Sequence, residues 1–153
     1  GRRIKRSLVV DINSIKLCDS SMLDQYSTIK LLNKYIKTKQ VEIKEYNKNI
    51  NLENPINGRQ LTNIGTFRAY IKAYLENNQN IHSKMTFLVR QLEPTKEGLP
   101  IQIYVFSNDT DWIKYEEIQA DIFDHLLAVA PKFGLKIFQN PSGNDLNNLI
   151  KNT

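Results

Sequence analysis

The apolar and polar positions of this chain change rhythm several times, and each change marks an expected element. Residues 6–17 alternate, with Leu8, Val10, Ile12 and Ser14 opposed to Ser7, Val9, Asp11 and Asn13, which predicts a strand. From 20 to 38 the spacing becomes helical: Met22, Tyr26, Ile29, Leu32 and Ile36 share one face, and Ser20 or Ser21 is placed to cap it. Residues 40–50 are assigned to helix on Glu42, Lys44 and Glu45, although Val41 and Ile43 alternate as in a strand. Pro55 and Asn57-Gly58 make 51–60 a loop.

A second helix opens at Thr62 or Asn63 and carries Ile64, Phe67, Ile71, Tyr74 and Leu75 on its apolar stripe, with Asn77 to Asn80 ending it. Residues 85–92 and 101–107 read as strands with bulky side chains on both faces, and the short Pro94–Gly98 connection makes them antiparallel neighbours. A long helix follows from Trp112 to Ala130, closed by Pro131 and Gly134. Residues 135–139 are expected to add a last strand, and 144–153 form a polar tail. The predicted class is α+β, a ferredoxin-like β-α-β-β-α-β order with a helical insertion at about 19–60 after the first strand. The chain, 1–153, is read as one domain. Both helices of the repeat would cover one sheet face, leaving the other for the insertion or a neighbouring subunit.

Composition narrows the picture. No apolar run reaches the roughly 18 residues that would span a bilayer. The opening Gly-Arg-Arg-Ile-Lys-Arg has no initiator Met and no apolar signal core, so a piece of a longer, non-secreted protein is expected. Cys18 is the one cysteine, so no internal disulfide can form. The net charge is +5, with cations gathered at Arg2, Arg3, Lys5 and Arg6 and in a band from Lys30 to Lys48. Such a balance fits nucleic acid, anionic lipid or plain solubility, and a solvated basic face is the commonest of these.

The residues that could carry chemistry each have a plainer role. Asp109 and Asp111 could hold a divalent cation, but one of them at the start of a helix reads as a cap. His82 falls in a polar turn. His125 falls among Ile118, Ile122 and Val129, with Asp121 one turn earlier as its partner. Two histidines and one cysteine make no zinc set, and the scattered glycines form no phosphate-cradling loop. No base stands paired with a nucleophile, so an enzyme is not expected, nor is a cofactor. Tyr104 and Phe106 on a central strand raise RNA binding, yet the basic-glycine-aromatic motif of such platforms is missing. These aromatics are read as core or subunit contact, and nucleic acid is not expected as a partner. A regulatory small-molecule-binding oligomer and a basic RNA-binding domain stand as alternatives.

The longer wording is more specific than any single motif. Thr62-Asn63-Ile64-Gly65-Thr66-Phe67-Arg68-Ala69-Tyr70 is followed by Met85-Thr86-Phe87-Leu88-Val89-Arg90-Gln91-Leu92, and then by Gly98-Leu99-Pro100-Ile101. Thr110-Asp111-Trp112, Ile122-Phe123-Asp124-His125-Leu126-Leu127 and Gln139-Asn140-Pro141-Ser142-Gly143 complete the set. Together they resemble the C-terminal cytoplasmic region of the YbdG-type miniconductance members of the mechanosensitive small-conductance (MscS) channel family. The resemblance implies a homo-oligomer, a heptamer in the best-known members, around a hollow vestibule with side portals for ions and small solutes. It implies release of these on hypo-osmotic shock and a place on the cytoplasmic side of the bacterial inner membrane. The pore and membrane anchor would lie upstream. Some relatives end in a barrel strand, whereas Asn144–Thr153 carries little strand pattern. Tyr104 and Phe106 on the sheet, with Asn108, Asp111 and Trp112 in the following loop, are the candidate subunit contacts.

Overall fold

The computed structural model describes residues 1–139 and Ile150. The predicted Gln139–Gly143 motif beyond Gln139, and the polar tail apart from Ile150, lie outside them. The described residues form an α+β fold in which β1 (Arg3–Val10), β2 (Leu88–Gln91) and β3 (Leu99–Phe106) make an antiparallel sheet in the order β1-β3-β2. The helices are α1 (Ser20–Ser27), α2 (Asn33–Tyr46), α3 (Asn63–Glu76) and α4 (Trp112–Val129).

Register decides which side chains share a face. Ile4 pairs with Val105, Leu8 with Ile101 and Val10 with Leu99, and all six are buried. They join one apolar cluster with Phe67 and Ile71 of α3 and Ile122, Phe123 and Leu126 of α4. The helices therefore cover this face, as successive strand positions alternate sides. Arg6 falls on the same side at its margin, and its guanidinium stands 4.3 Å over the ring of Phe123.

The first strand is displaced from its expected place at 6–17. It begins at Arg3 and stops at Val10, because the Asp11 carboxylate accepts the Asn13 N–H and starts a single 3-10 turn over Ile12–Ser14. Ile12, which continues the alternation of Leu8 and Val10 in the sequence, is 47% exposed. The helix expected over 20–38 is two helices. The hydroxyls of Ser27 and Thr28 bond back to the carbonyls of Asp24 and Gln25, and the Asn33 amide caps the Ser27 carbonyl, so the chain turns before α2 begins. Asp19, rather than Ser20 or Ser21, caps α1 through the Met22 N–H. α2 includes the ambiguous residues up to Tyr46, and Pro55–Asn57 is one 3-10 turn within the expected loop.

The insertion does not cover the far face of the sheet. Tyr26, Leu32 and Ile36 are buried in the same cluster as α3, and the Lys30–Leu32 turn packs on α3. Phe133 is the hub here: its ring lies 5.1 Å from Tyr26, 5.2 Å from Phe67 and 5.6 Å from Tyr70. Losing a wholly buried ring of this kind typically costs about 3–5 kcal/mol.

The expected strand at 85–92 is shortened to 88–91, and 101–107 extends back to Leu99. The strand expected at 135–139 is reduced to a single bridge between Val10 and Ile137, held by Asp11 N–H to Lys136 and Phe138 N–H to Val9. Gly134 at φ 71° lets the chain reverse after the helical turn Ala130–Phe133, and too little backbone then runs beside β1 to make a ladder.

Candidate subunit interface

The sheet face away from α3 and α4 is built from the odd positions of β1 and the even positions of β2 and β3. Register sets Arg3 opposite Phe106, and Lys5 and Leu88 on either side of Tyr104. Arg90 lies opposite Gln102 and its Nε donates to Oε1 at 2.9 Å. The rings of Tyr104 and Phe106 meet edge to face at 5.9 Å, and Lys5 Nζ stands 5.7 Å over Tyr104. Both aromatics are half-buried rather than enclosed. They do not enter the core: their neighbours on the strand, Ile103 and Val105, take the core side, so the period of two turns Tyr104 and Phe106 outward.

The loop after β3 has internal work. The Asn108 amide donates to the Gln79 carbonyl and its backbone N–H to Asn80, tying the loop to the end of α3. The Asp111 side chain caps α4 by accepting the Ile113 N–H at 2.9 Å. Asp109 accepts the Asp111 N–H and stands 3.7 Å from Lys114. The capping role explains this Asp-x-Asp, and both carboxylates have partners. Trp112 is 58% exposed, and the Arg2 guanidinium lies 4.8 Å over its ring and 5.9 Å from that of Tyr115. Arg2 Nε also donates to the Thr110 carbonyl at 2.7 Å, and the Tyr115 hydroxyl donates to the Arg3 carbonyl at 2.6 Å. The structure thus gathers Trp112 with Arg2 and Tyr115 at one end of β1, beside Phe106, while Asn108 and Asp111 serve the loop itself.

The remaining sequence candidates fall elsewhere. His82 is half-buried and its Nδ1 accepts the Lys84 and Met85 N–H groups. His125 is half-buried, and its partner is Tyr70 rather than Asp121: the Tyr70 hydroxyl lies 2.6 Å from Nε2, and Tyr74 stacks on the imidazole at 4.3 Å. A helical wheel compares only residues of one helix and misses partners supplied by α3. Cys18 is buried, and desolvation pushes its thiol up, the opposite of an activated thiolate.

One group with a structural role escaped the sequence. Asn63 is wholly buried: its Oδ1 accepts the Lys16 N–H, and its Nδ2 donates to the Ser14 and Phe133 carbonyls. An asparagine at the first turn of a helix gives no signal of such a role.

Residues 62–137 match the family described as "Mechanosensitive ion channel MscS, C-terminal". The match runs from Thr62, the cap of α3, to Ile137, which bridges β1. It supports an MscS-family C-terminal domain, the coarser part of what the sequence resemblance implied.

Proposed function

We propose, taking residues 62–137 as an MscS-family C-terminal domain, that this chain forms one wall segment of the cytoplasmic vestibule of a mechanosensitive channel. Several copies, seven as in the best-known members, surround the vestibule, and the channel releases ions and small solutes on hypo-osmotic shock. The miniconductance, YbdG-like type and the cytoplasmic side of a bacterial inner membrane belong to the same reading. No helix among the described residues is long and apolar enough to cross a membrane, so the pore is assigned to other parts of the protein. In this reading the fold is a ferredoxin-like one in which the single Val10–Ile137 bridge stands where the fourth strand would pair. We assign the domain no catalytic role.

The family match carries the proposal. Two features of the fold support the assembly: the insertion joins the helix side of the core, and the opposite sheet face is left with half-exposed aromatics and exposed Leu88. Tyr104, Phe106 and Trp112 are the contacts we propose, with Asn108 and Asp111 shaping the loop that presents Trp112. The net charge of +5 would bias the vestibule towards anions through its local potential.

The test is electrical. The full-length protein, reconstituted in liposomes and patched, is expected to give currents that appear only as membrane tension rises. Tension-insensitive bilayers at every protein density would overturn the channel reading.

A further inference from the structure

We infer that copies of this domain stack front to back, the cationic sheet face of one copy receiving the acidic outer face of α4 of the next. The inference rests on the proposed self-assembly and adds which surfaces meet.

The two faces differ sharply in charge. None of the three strands contains an Asp or Glu, whereas Arg3, Lys5 and Arg90 lie on the face that carries Tyr104 and Phe106. α4 has the opposite balance. Glu116, Glu117, Asp121 and Asp124 are all exposed, and none forms a salt bridge among the described residues. Its one lysine, Lys114, is within reach of Asp109. Glu117, Asp121 and Asp124 follow at intervals of four and three, which aligns them along one side of the helix. Ile113, 69% exposed, and Leu127 mark the two ends of the same stripe.

The shapes agree. A helix of this length is about 27 Å long and about 10 Å across. A sheet of three strands offers a face of similar width, with strands about 4.8 Å apart, and eight strand residues extend about 26 Å. A helix laid on a sheet is an ordinary protein layer, and Leu88 and the two aromatics provide the apolar ground for Ile113 and Leu127. α4 and the cationic face lie on opposite sides of the molecule, so each copy can give and receive. A two-fold contact is disfavoured, because sheet against sheet would oppose cations and α4 against α4 would oppose carboxylates. The contact is therefore heterologous, the kind that closes into a ring or continues as a filament.

The test uses the full-length protein with Cys18, and any cysteine outside residues 1–153, changed to Ser. Lys5→Cys or Arg90→Cys is combined with Glu117→Cys or Asp121→Cys, and the protein is mildly oxidised. At least one pairing is expected to give a ladder of multimers beyond the dimer, while the single-cysteine variants give none. The ladder is expected to weaken severalfold as salt rises from about 0.05 to about 0.5 M. If light scattering shows an oligomer and no pairing gives a ladder, the assembly stands and this interface is wrong. Dimers from single-cysteine variants would mean a two-fold contact and overturn it equally. Retention of oligo-uridylate RNA that Lys5→Glu abolishes, without a ladder, would give the face to nucleic acid instead. A wild-type protein that is monomeric at every concentration would remove the proposed assembly itself.

Discussion

The hydroxyl of Tyr70 lies 2.6 Å from Nε2 of His125 and ties α3 to α4 across the edge of the core. Tyr74, one turn further along α3, stacks on the same imidazole at 4.3 Å. The histidine is thus a fastener between two helices. A double-mutant cycle with Tyr70→Phe and His125→Phe is expected to show a coupling of about 1 kcal/mol in urea unfolding. Additive effects would mean that the hydrogen bond contributes nothing beyond packing.

Asn63 joins three segments through one side chain. Replacing it with Ala removes three hydrogen bonds and leaves the Lys16 N–H and the Ser14 carbonyl without this partner. Asn63→Ala is expected to cost about 3 kcal/mol, read from the midpoint of chemical unfolding. A loss below about 1 kcal/mol would show that water replaces the amide at little cost.

Gly98 has φ 139°, and a Cβ there would meet the Val10 carbonyl. Gly98→Ala is expected to destabilise by more than about 2 kcal/mol, from strain and clash together. Gly134, at φ 71°, faces the flexible end of Lys16 at 3.4 Å. Gly134→Ala is therefore expected to cost only about 1 kcal/mol. Thermal melts of the two variants test the order.

Tyr26 sets an alkaline limit. It is 2% exposed, its hydroxyl donates to the Phe133 carbonyl, and burial pushes its pKa up from 10.0 to about 12. Between these values the unfolded chain has released the phenolic proton and the folded chain still holds it. Stability is therefore full below pH 10 and is lost as pH rises towards 12, by roughly 2–3 kcal/mol for this group. Tyr35, Tyr70 and Tyr74, raised chiefly by desolvation, add in the same direction. Unfolding followed from pH 8 to about 12 should show the decline, and Tyr26→Phe should make it shallower.

On the proposed assembly, Trp112→Glu should leave the fold intact, because the ring is 58% exposed and stacked on Arg2 alone at 4.8 Å apart from Tyr115. Unchanged circular dichroism with a reduced mass by light scattering of the full-length protein is the expected result. An unchanged mass would remove Trp112 from the interface.

Some of this architecture could be read directly along the chain. α3 and α4 were legible because Thr62 and Asp111 are local capping residues and the apolar stripes behind them repeat at helical spacing. The hairpin of β2 and β3 was legible from its short connection. The break between α1 and α2 was hidden, since back-bonding by Ser27 and Thr28 competes with a helical pattern that continues through it. The partner of His125 was hidden because it belongs to another helix.

Local pattern was enough for α3, α4, the apolar strand Leu99–Phe106 and the positions that alternate on it, because these follow from periodicity and from caps a few residues away. Long-range contacts set where β1 ends, that residues 135–139 make a bridge and not a strand, and that the insertion joins the helix side. It alone placed Arg3, Lys5 and Arg90 around Tyr104 and Phe106, and the acidic stripe of α4 on the other side of the molecule. Pairing register and the choice of face depend on contacts between residues far apart in the chain, and no local pattern encodes them.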